Sequence, residues 1–346
     1  MATSSLLDRV ASALFGGKKT DTDADRQLIA DMIELIVEEV EPRVRFHARY
    51  REKLEKCVRA SIAYLRSIGS QPLEPVPLSR KSWNDDARVN AFFAKADDVS
   101  TCIGRSKELR AFFENPSNAE IQEAYALLGM KKDEHTTFGT QLQGDAVQHD
   151  VAQTAVNFSG HRLIAPSATL AATRLEIGRR MIQRLAQIAL ARIVAIDMKA
   201  TELQEHKAYL GARMRLLNLA RDGMEGLVKD PSTIAAEAKE IERELKVTVD
   251  GYIEAKGSLA TLDGYIKHID DVFAHPERHL TLTQKPLRLT RMGIKVDAGT
   301  SGPVNELSLA ELSIGDAFRG AIAIVRCSRS DLPPKEDLVS NAERYL

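Results

Sequence analysis

The feature that most limits what this chain can fold into is an apolar seam held in heptad register. It runs through Ile193, Ile196, Ala200, Leu203, Leu210, Met214 and Leu217, with Lys207 as the one charged position. After an interruption at "DGMEGLVKDPS" it resumes at Ile234, Ala238, Ile241, Leu245, Thr248, Tyr252, Ala255, Leu259, Leu262, Ile266, Ile269 and Phe273, with no charged residue among them. Apolar positions spaced this way need a facing helix along their whole length. The break is short, so the expected arrangement is an antiparallel helical hairpin. A helix from Ser167 to Arg221 would be roughly 80 Å long and its partner from Ser232 to Ala274 roughly 65 Å, at about 1.5 Å per residue. Gly178 is a place where the first arm could break.

Both flanks of this hairpin read as β. Upstream, "DEHTTFGTQLQGDAVQHDVAQTAVNFSGHRL" is rich in Thr, Val and Gln, lacks helical periodicity and carries a Gly144-Asp145 turn signal, which predicts a β-hairpin over 133–163. Downstream, short apolar or alternating runs separated by Pro286, "DAGTSGP" and "IGDA" predict an antiparallel meander over 279–329, followed by a tail at 330–346. A helical hairpin over 166–275 returns the chain to its point of departure. The strands on either side are therefore expected to form one composite sheet.

The N-terminal part reads as helical over 23–130. Pro42 should end or bend the first helix, because proline lacks the amide donor and clashes with the preceding turn. Pro72, Pro75 and Pro77 predict an extended polyproline-like connection, after which Ser79 caps the next helix. Short helices should follow through Leu128, with Phe92, Phe93, Phe112 and Phe113 as buried corners. Residues 1–20 form a tethered amphipathic helix whose face, within 5–15, could dock on the protein, a partner or a membrane surface. The expected class is α+β, mostly α: an N-terminal helical region and a long antiparallel coiled-coil hairpin inserted into a small antiparallel sheet.

Composition narrows the function classes. A net charge of −1 over 346 residues gives no overall pull toward nucleic acid, and 5% aromatics with one tryptophan argue against a base-stacking surface. Three cysteines with no CxxC spacing support neither a disulfide framework nor a thiolate zinc site, which fits a reducing cytoplasm. No apolar run has the length of a membrane span or the pattern of a signal peptide.

Motifs for phosphate loops, zinc peptidases, serine hydrolases, dinucleotide sites and EF-hands are absent, so no cofactor or metal is expected. "VDAGTSG" at 296–302 resembles the Asp-Thr/Ser-Gly loop of aspartic proteases but carries Ala298 in the hydroxyl position and has no second copy. A candidate polar site gathers His135, His149 and Asp150. Strand alternation puts His149 and Asp150 on opposite faces unless a bulge intervenes, and His161 lies about 40 Å from His149 on a straight strand. His135 could come opposite His149 and Asp150 across the turn. A second cluster, His268, Asp271 and His275, has helical spacing on a polar face. A candidate anion-binding patch comprises Arg43, Arg45, Arg49 and Arg51, although Glu34, Glu38, Glu39 and Glu41 just before it are the expected partners.

The sequence therefore points to a non-enzymatic interaction protein that uses the coiled-coil hairpin and small sheet for self-association or for binding a protein partner. The alternatives are an enzyme or ligand-binding protein with its site between the sheet and the N-terminal helices, or a nucleic-acid or anionic-membrane binder through Arg43 to Arg59.

Overall fold

The computed structural model describes residues 10, 13, 14, 22–71, 73–143, 146–222, 230–296, 304–315 and 318–334. The chain divides into two compact units, one of 1–7, 20–62 and 182–276, the other of 8–19, 63–181 and 277–346. Two of the divisions fall inside helices, α2 (Tyr50–Gly69) and α7 (Leu170–Asp222), and another falls after Pro276.

The first unit is helical. Helix α1 (Thr22–Val40) stops where Pro42 requires it; Glu41 caps a 3₁₀ turn over Pro42–Phe46, and α2 follows at Tyr50. Leu28, Ile29, Met32, Ile33, Leu35, Ile36 and Val37 are all buried, so α1 is apolar around most of its circumference. That pattern belongs to a helix inside a core.

The inserted hairpin is α7 with α8 (Pro231–Ser258) and α9 (Leu262–Phe273). Leu210, Leu217, Ile234 and Ile241 form one buried cluster, flanked by Met214, Ala238 and Leu245. Arg213 pairs with Glu237, His206 with Glu244 and Asp197 with Lys256. These partners advance along α8 as they retreat along α7, so the packing is antiparallel. Burial at Ile234, Ile241, Thr248 and Ala255 repeats every heptad. The second arm is not continuous, as the sequence suggested. It breaks at Leu259, and Thr261 caps α9 by accepting from the Gly264 amide. A methyl group on Gly264 would lie 1.9 Å from the Ser258 carbonyl oxygen, so the corner requires glycine. The interhelical loop at 223–229 lies outside the described residues.

The second unit is built on a six-stranded sheet. Its strands are β1 (Val76–Leu78), β2 (Glu123–Gln143), β3 (Ala146–Ser167), β4 (Leu280–Thr290), β5 (Val304–Ile314) and β6 (Phe318–Ser328), in the order β3-β2-β6-β5-β4. The expected composite sheet is present: β2 pairs with β6 from Glu123↔Ser328 to Met130↔Ala321. The two ends of the sheet are also tied. After β4 the chain turns at Gly293, Ile294 bridges Ala155, and the Lys295 amide donates to the Thr154 carbonyl at 2.8 Å. The tie reaches only the Arg288–Thr290 end of β4, through Ile294 to Val296, and leaves the stretch around Pro286 outside it.

Several expected boundaries shift. Residues 123–128 are strand, not the end of a helical region, because Ala124, Ala126, Leu128 and Met130 alternate into the core while ladders form on both sides. Pairing on both edges overrides the helical preference of Ala and Leu. The proline-rich connection is extended but not free, since β1 lies parallel to β6. Pro286 does not separate two strands; it sits within β4, opposite Ser308. As the last strand in the order, β4 has a free side that tolerates a missing donor.

Helices α3 (Ser82–Asp85), α4 (Ala87–Phe92), α5 (Ala96–Arg105) and α6 (Lys107–Glu114) cover one sheet face, where Phe93, Ile103, Leu109 and Phe113 join Leu128, Leu289, Leu309 and Val325 in one core. Lys81, not Ser79, stands at the N-cap of α3 and gives it no side-chain cap, while the Ser79 hydroxyl accepts from the Ser82 amide. Of residues 1–20, Val10, Ala13 and Leu14 are described, Val10 and Leu14 buried and Ala13 half-buried; the rest of that stretch lies outside the described residues.

Candidate functional site

The β2–β3 ribbon explains where its histidines go. Pairing slips at three places, between Tyr125 and Leu127, Gly129 and Lys131, and Gly139 and Gln141. At each slip β3 carries an extra residue, and the three residues with positive φ on β3, Ala165, Gly160 and Asp150, fall there. An extra residue in the left-handed region is how a bulge bends a ribbon and redirects side chains.

His135 lies opposite Ala155, well away from His149 and Asp150, and is exposed. The expected approach of His135 to His149 and Asp150 is therefore wrong, because the pairing about the 144–145 turn places those two near Thr140. Asp150 is exposed on its bulge; the side chain of His149 lies outside the described residues. No group of three metal-binding side chains occurs among the described residues. His161, beside the Gly160 bulge, turns inward: its ring stacks on Phe93 and its Nε2 lies 2.7 Å from the Phe92 carbonyl oxygen. Burial holds its pKa below the ordinary value.

In the second histidine cluster, Asp271 lies 3.9 Å from Arg192, and Nδ1 of His268 is buried without a hydrogen-bond partner. Of the protease-like stretch at 296–302, all but Val296 lies outside the described residues.

The arginine patch is paired. Arg43 holds Glu41, Arg45 holds Glu34 and Glu38, Arg49 holds Glu52, and Arg51 holds Glu34. Glu34 also accepts from the Tyr50 hydroxyl at 2.5 Å, and these donors together keep its carboxyl below the usual carboxylate range against the opposing effect of burial. Lys53 and His47 share Asp263.

The helical hairpin carries a different surface. Leu190, Val194, Met198, Tyr209, Leu216 and Leu219 on α7 are exposed, from 36% at Leu190 to 70% at Leu219. At about 3.6 residues per turn the six fall within an arc of about 100°, on the far side of the helix from the buried Ile193, Ala200, Leu210 and Leu217. Single exposed leucines are ordinary, whereas two apolar patches on one helix face, Leu190 to Met198 and Tyr209 to Leu219, parted by the exposed Thr201 and Glu205, match a helix face that packs against another. In the sequence these residues are indistinguishable from the seam, because both sets are apolar and only burial separates them.

No family of known proteins, no characterised protein and no solved structure matches this chain. Among the described residues no helix is long and apolar enough to cross a membrane.

Proposed function

We propose that the protein is a non-enzymatic assembly protein of the cytoplasm whose helical hairpin, packed as a coiled coil, presents a second apolar stripe to another helix. The observation that carries this reading is the exposed row from Leu190 to Leu219, opposite a seam that already satisfies the hairpin. Removing such a row from water supplies the driving force for association. A second copy of the chain is the first partner to test, since an isologous contact lets one stripe serve both sides.

Sedimentation velocity over a range of protein concentrations tests it. The wild-type chain is expected to sediment as a dimer or larger species, and the double variant Met198→Glu with Leu216→Glu as a folded monomer. A wild-type monomer at every concentration overturns self-association, and so does a double variant that assembles like the wild type.

A further inference from the structure

The β2–β3 ribbon carries one strand edge that the sheet does not use. β6 leaves β2 after Met130, and among the described residues no strand pairs with that side of β2 from Lys131 to Gln143. Two strands alone are marginal in water, and edges of this kind are ordinarily blunted by charge, proline or a bulge. On β3 the bulge at Asp150, with a φ of 57°, serves that purpose. On β2 the run from His135 to Gln143, "HTTFGTQLQ", has no proline, no lysine or arginine and no acidic residue. Phe138 stands in its middle, 71% exposed.

The far edge of the ribbon shows which way the backbone groups of β2 point. The Thr154 carbonyl accepts from the Lys295 amide, outside the ribbon. Thr154 therefore turns away from Thr136, its opposite on β2, and in an antiparallel ladder both members of such a pair turn away together. Thr136 and, at every second residue, Phe138 and Thr140 thus aim N–H and C=O out of the free edge of β2. The Thr140 carbonyl also accepts from Gln153 Nε2 at 3.3 Å and keeps a second lone pair.

We propose that this edge pairs with the same edge of a second copy, antiparallel about a two-fold axis at Phe138, so that two ribbons make one four-stranded sheet. The edge is complementary to itself in that register. Phe138 meets the second copy's Phe138, Thr136 meets its Thr140, and Asp133 to Gln143 runs against Gln143 to Asp133, which uses nearly the whole free edge. Aromatic and threonine pairs are among those that favour cross-strand contact, and no like charges come opposite. Outward groups at every second residue from Glu134 to Leu142 supply about ten hydrogen bonds, two for each opposed pair. The contact uses no residue of the α7 stripe. It buries one large apolar side chain per copy against six in the stripe, so it is the weaker of the two and fills only at higher protein concentration.

Disulfide trapping between two variants of the full chain tests the register. His135 stands opposite the second copy's Gln141 with backbone groups turned away, which puts the Cα atoms about 4.5 Å apart, within the reach of a disulfide. The two copies of His135 are six residues apart along the ladder, roughly 20 Å, and so are the two copies of Gln141. Both variants are made in the Met198→Glu, Leu216→Glu background, so the outcome is independent of the assembly reading, which sedimentation decides. His135→Cys and Gln141→Cys, mixed at high concentration with diamide to take up the two electrons and two protons of the thiols, are expected to give a linked dimer. Either alone should give about tenfold less, because its own cysteines lie beyond disulfide range. The native cysteines are buried and free. Adding Phe138→Pro to both variants removes the central donor and ring but no β2–β3 hydrogen bond, and should cut the yield to that of a single variant. Circular dichroism checks folding; if Phe138→Pro does not fold, the mixture decides alone. The proposal is overturned if the mixture links no better than either variant alone, or if the folded Phe138→Pro pair links as well as its parent.

Discussion

His161 lies flat against Phe93, with ring centroids 4.2 Å apart and 18° between the planes, and its Nε2 bonds the carbonyl of the preceding residue, Phe92. This contact fastens α4 to β3. Burial pushes the imidazole pKa down from its ordinary 6.5, outweighing the opposite pulls of the Phe92 carbonyl and Asp98. The folded state therefore keeps the ring neutral, with Nε2–H donating. Above about pH 6.5 neither state binds the proton; as the pH falls from there through the depressed folded value, the unfolded chain binds it first and stability is lost. The single tryptophan reports on this place, because Trp83 Nε1 donates to the Phe93 carbonyl at 2.7 Å. Urea midpoints followed by Trp83 fluorescence should fall between pH 7.5 and 5.5, and fall less in His161→Gln. Equal acid sensitivity in the two proteins would remove His161 as the cause.

Arg329 fastens the stretch from Phe113 to Ile121 to the end of β6. Its guanidinium donates to the carbonyls of Phe113, Asn118 and Ile121 at 2.8, 2.6 and 2.9 Å and lies 4.9 Å from the centre of the Phe113 ring. Arg329→Ala leaves three partly buried acceptors to find water, and a loss of roughly 2–4 kcal/mol is expected in urea unfolding. Lysine should restore little of it, since a single ammonium cannot span the same fork.

Two glycines should respond in opposite directions to alanine. A methyl group on Gly320 would meet the Met130 carbonyl oxygen at 2.2 Å, where β6 joins β2, whereas at Gly211 in α7 it would meet nothing within 4 Å. Gly320→Ala should destabilise by roughly 3 kcal/mol, while Gly211→Ala should stabilise by up to about 1 kcal/mol through helix propensity. Thermal unfolding of both variants beside the wild type checks the pair of signs.

The arginine patch should bind polyanions weakly, because Arg45 and Arg49 already face Glu38 and Glu52. Charge reversal at both, Arg45→Glu with Arg49→Glu, is expected to leave retention on heparin close to that of the wild type. Strong, salt-sensitive retention that disappears on reversal would restore the anion-binding reading.

The thiols of Cys57, Cys102 and Cys327 are buried and free, and burial pushes each up to about 12. Alkylation at pH 8 should therefore follow unfolding, with all three unreactive in native protein. Labelling of the native chain at the rate of a free thiol would contradict the burial assigned to them.

What the sequence by itself determined is what repeats locally. The heptads from Ile193 to Phe273 specify a helical hairpin because each apolar position needs a facing partner, and the stop at Pro42 follows from the imide's own chemistry. The β character of 133–163 was legible from its richness in Thr, Val and Gln and its lack of helical periodicity, and the return of the hairpin implied a shared sheet. Tertiary structure decided the rest. Glu123 to Met130 looks helical until β6 and β3 pair with it on both sides, and Pro286 sits within β4 because that strand has a side without a neighbour. Bulges at Gly160 and Asp150 settle where His161 and Asp150 go, which strand alternation alone could not do.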